Sequence, residues 1–436
     1  MASILIFSLP QLLPLALFFW AMAREKKKTG LGAWLIICLY LTYNLLVPVA
    51  DFLSKTDSFF GFQYPLSAIL WPEMTRLYAT GWCAFLAGYF LVKKYSSPWE
   101  PKFLLSPEPA WIPQLMTGVQ VVVWFLIFLN YHLSGIELSQ VLNPENREEK
   151  NILFSADWAI PGLDMLSNCL PVCLYLQWKF TKKRNGIWVI FFILWLVFSL
   201  LSGWRYRIIL FFLFMVLHFL HHHNGKLTSL LLIFLAGTLI FSWLTLNRMA
   251  IAKRQFDLIT FDLGQFDSGV FTNEFSNSRT FRATLIYLNQ HPEKQSDGLS
   301  WFRFMANKLK SKSSFPGGIR PKPWILEVTK AWIPPGWPWN PNPAVTQMEE
   351  FFLTFGFWGL TAGMLMLGFW TSFLDFSSEN SVFQGFKMIC IALLFQWTTR
   401  GFFLYQMQIS LVCIFPFAVL YILKPYLPHG IAGNKA

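Results

Sequence analysis

Recurrent apolar runs long enough to cross a bilayer restrict this chain more than any other feature. A helix needs roughly 20 mainly apolar residues to span the hydrocarbon. On that rule spans are predicted near Ile4 to Ala21, Leu31 to Phe52, Leu77 to Val92, Ile112 to Tyr131, Ile160 to Trp178 and Ile187 to Leu201. Others follow near Ile208 to Leu220, Leu227 to Leu246, Met348 to Phe373, Val382 to Trp397 and Phe402 to Leu423. That makes about eleven transmembrane helices, within a range of about ten to twelve. The two runs flanking Ser202-Gly203-Trp204 are short, and could be one long broken helix. Only 13% of the 436 residues are charged, against about a quarter in soluble domains. The expected fold class is an all-α polytopic membrane protein.

The first run lacks a basic segment before it and further spans follow, so it is read as a retained helix rather than a signal peptide. All six cysteines, Cys38, Cys83, Cys169, Cys173, Cys390 and Cys413, fall inside predicted spans, which suits packing rather than a disulfide framework or zinc site.

Lys and Arg in short loops favour the cytoplasm. Arg24 with Lys26 to Lys28, Lys93-Lys94, Lys179 with Lys182 to Arg184, and Lys424 with Lys435 all land on one side if eleven helices are threaded. The N-terminus is then outside and the C-terminus cytoplasmic. The chain divides into helices 1 to 8 over residues 1–247, a large extracytoplasmic loop over 248–347, and three helices with the tail over 348–436. The loop, Arg248 to Gln347, carries thirteen Lys and Arg against seven Asp and Glu, a net +6 that is half of the chain's +12. Long loops escape the charge rule, so its basic character does not conflict with export.

Arginine near lipid is expensive, about 3 kcal/mol at a helix centre. Arg205, Arg207 and Arg400 nevertheless stand at outer helix ends, and Arg248 stands at the lip of the loop. Each taken singly could snorkel to headgroups; together they favour convergence on an anion. In a helix Arg205 and Arg207 lie about 200° apart, so only one can face a cavity. Within the loop, Arg279 and Arg282 are three apart on a predicted helix, Arg279 to Gln290, striped by Phe281, Leu285 and Leu288. That spacing suits a diphosphate clamp, and equally a solvated edge. A segment through Trp301, Met305 and Leu309 fits a helix resting on anionic lipid. Trp337, in Pro334-Pro335-Gly336-Trp337-Pro338-Trp339, is either a platform for sugar C–H faces or an interfacial anchor.

No glycine-rich nucleotide loop occurs, and Asp257, Asp262 and Asp267 are spaced for neither a calcium loop nor a paired-Asp metal site. No metal ligand set is identified. Ionisable groups deep in the spans are scarce, since Glu73, Asp164 and Asp375 sit near ends, which argues against an ion-coupled transporter.

Three pieces in order resemble the Wzy-type oligosaccharide repeat-unit polymerases, or O-antigen polymerases, of bacterial envelopes. They are Ser202-Gly203-Trp204-Arg205; the large loop closing with Asn342-Pro343 and then Glu350-Phe351-Phe352-Leu353-Thr354-Phe355-Gly356-Phe357-Trp358-Gly359; and Thr399-Arg400-Gly401 between the last two helices. Trp204 and Tyr206 are bulkier than the family's usual residues there. The resemblance implies a GT-C-like fold and glycosyl transfer at the outer face of the bacterial plasma membrane. The donor is a glycan on undecaprenyl diphosphate, and the acceptor is a repeat unit on a second such lipid. Neither cofactor nor nucleic acid is implied, while a flippase and a chain-length regulator are implied partners.

As the diphosphate leaves, charge builds on it, and fixed cations in a water-poor site stabilise that state more than the ground state. Arg205, Arg279, Arg282 and Arg400 are the catalytic candidates, joined in binding by Arg248, Arg207, Tyr206, Arg320, Lys322 and Trp337. A base for the acceptor's proton is Glu349, Glu274 or His291; Glu349, at a helix start, is preferred, though a helix N-terminus alone also favours a carboxylate there. An O-antigen ligase uses the same donor, and a polyprenyl-monophosphate glycosyltransferase would employ Asp51 or Asp57. A lipid-linked oligosaccharide flippase or a non-catalytic assembly subunit is the alternative of another class.

Overall fold

The computed structural model describes residues 10, 12–20, 30–40, 44, 58–59, 62–63, 70–95, 111–133, 137, 163–181, 186–201, 205–222, 243, 277–309, 324–331, 345–376, 381–399 and 403–423. The chain is mostly helical there. Strand is confined, among these residues, to an antiparallel two-residue pair, β1 (Ser58–Phe59) and β2 (Phe62–Gln63). Among the described residues two helices are long and apolar enough to cross a membrane, Ile112–Leu133 and Gln347–Asp375. Shorter apolar helices cover 186–200, 207–220 and 409–423. The predicted span Leu227 to Leu246 lies almost wholly outside the described residues.

The chain forms two compact units that cut across its order in sequence. One gathers residues 1–99, 271–377 and 394–406. Its described helices are α1 (residues 12–20), α2 (Leu31–Tyr40), α3 (Leu70–Tyr95), α4 (Asn277–Gln290), α5 (Ser300–Leu309), α6 (Trp324–Ala331) and α7 (Gln347–Asp375). Its axis is the pairing of α3 with α7, and glycine makes this pairing close. A Cβ on Gly88 would sit 2.1 Å from the Leu365 carbonyl oxygen, and one on Gly368 would sit 2.0 Å from that of Phe85. Backbones in contact at small residues are a means of joining helices where water supplies no hydrophobic drive.

Tyrosines fasten the pair at both ends. Tyr78 and Tyr89 are eleven residues apart, about three turns, and share a face of α3. The Tyr78 hydroxyl donates to Glu349 at the start of α7, and the Tyr89 hydroxyl donates to Asp375 at its end, so the two helices run in the same direction. Asp375 also caps α2. Its two oxygens accept from the Gly32 and Ala33 amides at 2.9 and 3.0 Å, donors that a helix start leaves without intrahelical partners. A negative charge there is further favoured by the helix dipole.

The sequence predicts a continuous helix from Met348, but the structure breaks it at Gly356, where φ is 66° and ψ is −160°. Side chains other than hydrogen are excluded from that region. The first segment folds back so that the Phe351 ring lies over Gly363, with Phe355 against Gly359. The glycines of the Glu-aromatic-Phe-Gly-Gly stretch thus have a mechanical reason. Beyond the bend α7 exposes Phe357, Trp358, Met366, Phe369 and Trp370.

The predicted loop helix from Arg279 to Gln290 is observed as α4, and the amphipathic segment through Trp301 as α5; α6 was not foreseen. α4 packs on α6, and α6 on α7. The Phe281 ring meets Phe352 edge-on at 6.0 Å, and the Trp324 indole donates to the Lys294 carbonyl.

The other unit gathers residues 100–270, 378–393 and 407–436. It holds α8 (Ile112–Leu133), α9 (Leu170–Phe180), α10 (Gly186–Leu201) and α11 (Arg205–His222), with most of α12 (Ser381–Thr399) and α13 (Phe403–Leu423). The runs on either side of Ser202-Gly203-Trp204 are helical, and those three residues lie outside the described ones. The predicted span from Ile160 begins as a 3-10 helix, Leu163–Cys169, and turns α-helical where Pro171, which has no N–H to donate, occupies the first turn. Gln120 donates to Gln177, and Gln177 to Thr117, so α8 and α9 are joined by amides. The opposite face of α8 exposes Val121, Val122, Phe125, Phe128 and Leu129, a row unsuited to water.

Gly356→Ala is expected to cost about 1–3 kcal/mol through its forbidden backbone angles, read as a lower unfolding midpoint of the purified protein. An unchanged midpoint would mean that the bend is not held as described.

Candidate functional site

The densest buried polar cluster at the start of α7 is built on Glu349. Thr346-Gln347-Met348-Glu349 forms a capping box: the Glu349 carboxylate accepts from the Thr346 amide at 2.6 Å, and the Thr346 hydroxyl accepts from the Glu349 amide at 3.3 Å. The other carboxylate oxygen accepts from the Tyr78 hydroxyl at 2.5 Å. Glu349 and Tyr78 are both fully buried at 0% exposure. A carboxyl group in that setting is stable only where hydrogen bonds satisfy its oxygens. Arg282, half-buried on α4, lies within electrostatic range of Glu349 and Tyr78. The polar stretch therefore brings one arginine within electrostatic range of a carboxyl group at a helix start, and Asn44 adjoins Tyr78.

Because both Glu349 oxygens already accept hydrogen bonds, the residue positions its neighbours as the structure stands. Arg282 keeps the partial exposure that an incoming anion needs.

Of the residues singled out in the sequence, Arg282 and Glu349 are brought together. Arg279 lies one turn before Arg282 on α4, and Arg205 and Tyr206 begin α11; for these three the helix position is described and the side chain is not. Arg207 is buried at 2% exposure, where its Nε donates to Asn168 Oδ1 at 2.8 Å. It is thus built into its unit. Asn168 also accepts, through its carbonyl, from the Cys413 thiol. His291 is exposed just past α4, paired with Glu293 at 3.3 Å and against the Tyr287 ring. Arg248, Glu274, Arg320, Lys322, Trp337 and Arg400 lie outside the described residues. Among the described residues no group of three His, Cys, Asp or Glu converges.

Tyr78, Thr346 and Asn44 are the participants that sequence reasoning missed. The capping box was detectable as Thr-x-x-Glu before an apolar run. Nothing local marks Tyr78 or Asn44, whose place depends on contacts distant in sequence.

Tyr78→Phe is expected to destabilise the protein by about 1.5–3 kcal/mol, the range for hydrogen bonds to charged groups, and Glu349→Ala by more, since it also removes the cap. Thermal unfolding of the purified variants checks the order; equal stability to the parent would remove Glu349 from its role as anchor. The chain matches no protein-family model, no curated protein and no solved structure.

Proposed function

We propose that the chain is a glycosyltransferase that polymerises oligosaccharide repeat units carried on undecaprenyl diphosphate, at the outer face of the bacterial plasma membrane. The fold proposed with it has about eleven spans, the N-terminus outside and the C-terminus cytoplasmic. One observation carries the reading: Arg282, from the basic polar stretch, lies within electrostatic range of a buried, hydrogen-bonded carboxyl group where α7 begins. A cation so placed, and partly exposed, is suited to a phosphorylated headgroup.

Two further features support it. The parallel α3 and α7 both start at the end proposed to be outside, and α3 finishes at Lys93-Lys94, proposed to be inside. The exposed apolar faces of α7 and α8 suit lipid.

In the proposed reaction a hydroxyl oxygen of the acceptor attacks the anomeric carbon of the donor glycan. The bond from that carbon to the diphosphate oxygen breaks, and undecaprenyl diphosphate departs with the electron pair. Arg282, with Arg279 one turn before it on α4, neutralises the growing charge, and no nucleotide is consumed. The hydroxyl proton passes to a base, for which Glu349, Glu274 and His291 remain the candidates. Glu349 reaches it only by exchanging one of its present hydrogen bonds.

Purified protein incubated with a lipid-diphosphate repeat unit, without nucleotide or added metal, is expected to yield longer products. Arg282→Ala should slow this by about 10²–10³-fold, the loss typical when one donor to a developing anion is removed, and Arg282→Lys should restore part of it. Full-rate polymer from Arg282→Ala would contradict the assignment. Transfer of intact lipid-linked units across a bilayer without elongation would point to a flippase.

A further inference from the structure

Beside the Glu349 cluster is a partly open pocket of about 320 Å³, counting its mouth, so its closed part takes one small group rather than a whole sugar ring. Its walls are apolar and aromatic: Tyr40 and Trp82 lie 4.3 Å apart between ring centres, with Met364 and Leu367 beyond. Thr346, Thr398, Asn44, Gln347 and the Trp82 indole N–H break that character. Asn44 and Trp82 are each 4% exposed and Gln347 is 1% exposed. The Asn44 Nδ2, the Trp82 Nε1 and both amide atoms of Gln347 have no hydrogen-bond partner. Asn44 does approach the Tyr78 hydroxyl, so pocket and cluster share a wall, but its Nδ2 makes no bond of ordinary geometry there.

Buried polar groups left unmade are costly, and several around one cavity indicate an occupant that completes them. The unmet set is three donors and one acceptor. A carboxylate or phosphate would leave the Gln347 Oε1 unmatched, and a cation would leave the donors unmatched. A secondary amide offers both functions, its carbonyl accepting from two of the three donors and its N–H donating to the Gln347 Oε1, and its methyl group suits the aromatic walls. We infer that the pocket lined by Asn44, Trp82 and Gln347 binds the acetamido group of an N-acetylated sugar in the substrate.

This deepens the proposed function and rests on it for the identity of the substrate, but its test needs no turnover. The measurement is saturation-transfer NMR of the purified protein with N-acetylglucosamine, with glucose, and with N-methylacetamide as the bare amide. Saturation concentrated on the acetyl methyl of N-acetylglucosamine, together with binding of N-methylacetamide and none of glucose, is the expected result. Gln347→Leu and Asn44→Leu should each weaken that binding about tenfold or more, while Gln347→Leu leaves thermal stability equal or higher, because it removes unpaired buried atoms. A merely structural Gln347 would instead lose stability on that change. Equal saturation of glucose, absence of a methyl signal, or unaltered binding by Gln347→Leu would each overturn the inference. Because binding is read directly, a protein that binds the amide yet fails to elongate would count against the polymerase reading alone.

Discussion

Burying the Glu349 carboxylate is the constraint on which the described part of this molecule turns. An ionised carboxylate without partners in an apolar interior costs far more than a domain can spare. Its partners come from separate places: Tyr78 from α3, Thr346 from its own cap, and the charge of Arg282 from the polar stretch. Satisfying one group therefore fixes the relation of three segments. Asp375 plays the matching part at the far end of α7, drawing in Tyr89 and the start of α2.

Between those two anchors the chain uses closeness rather than size. Gly88 and Gly368 bring the α3 and α7 backbones into contact, and Gly356 turns α7 back on itself so that Phe351 and Phe355 lie over glycines. That fold-back carries Glu349 and Gln347 to opposite duties within one turn: Glu349 is fully hydrogen-bonded, while Gln347 presents unmatched amide atoms to the pocket. A rigid, satisfied group beside an unsatisfied, enclosed one is how a binding site is expected to be built.

Much of the helical framework was legible in apolar run length, because a bilayer-scale run has few alternatives. Ile112 to Tyr131 against the observed Ile112–Leu133, and Phe402 to Leu423 against Phe403–Leu423, differ by a residue or two at their ends. The bend at Gly356 was not legible, since a glycine within an apolar run looks the same whether the helix continues or reverses. Within the site, Arg282 stood out by its three-residue spacing from Arg279 and Glu349 as a carboxylate at a helix start, but the hydrogen-bond partner of Glu349, Tyr78, did not. Its role is set by a contact 271 positions away. Arg207 resembled Arg205 in sequence, and only packing reveals that it is spent on Asn168 inside its own unit.

Arg282 is proposed to act on the leaving diphosphate from within electrostatic range of the Glu349 cluster. A double-mutant cycle of Arg282→Gln and Glu349→Gln, read as the rate of polymer formation from a lipid-diphosphate repeat unit, tests it most directly. The two losses should be strongly non-additive, with the double variant little worse than the worse single one. Losses that simply multiply, or a parent protein that forms no polymer at all, would contradict it.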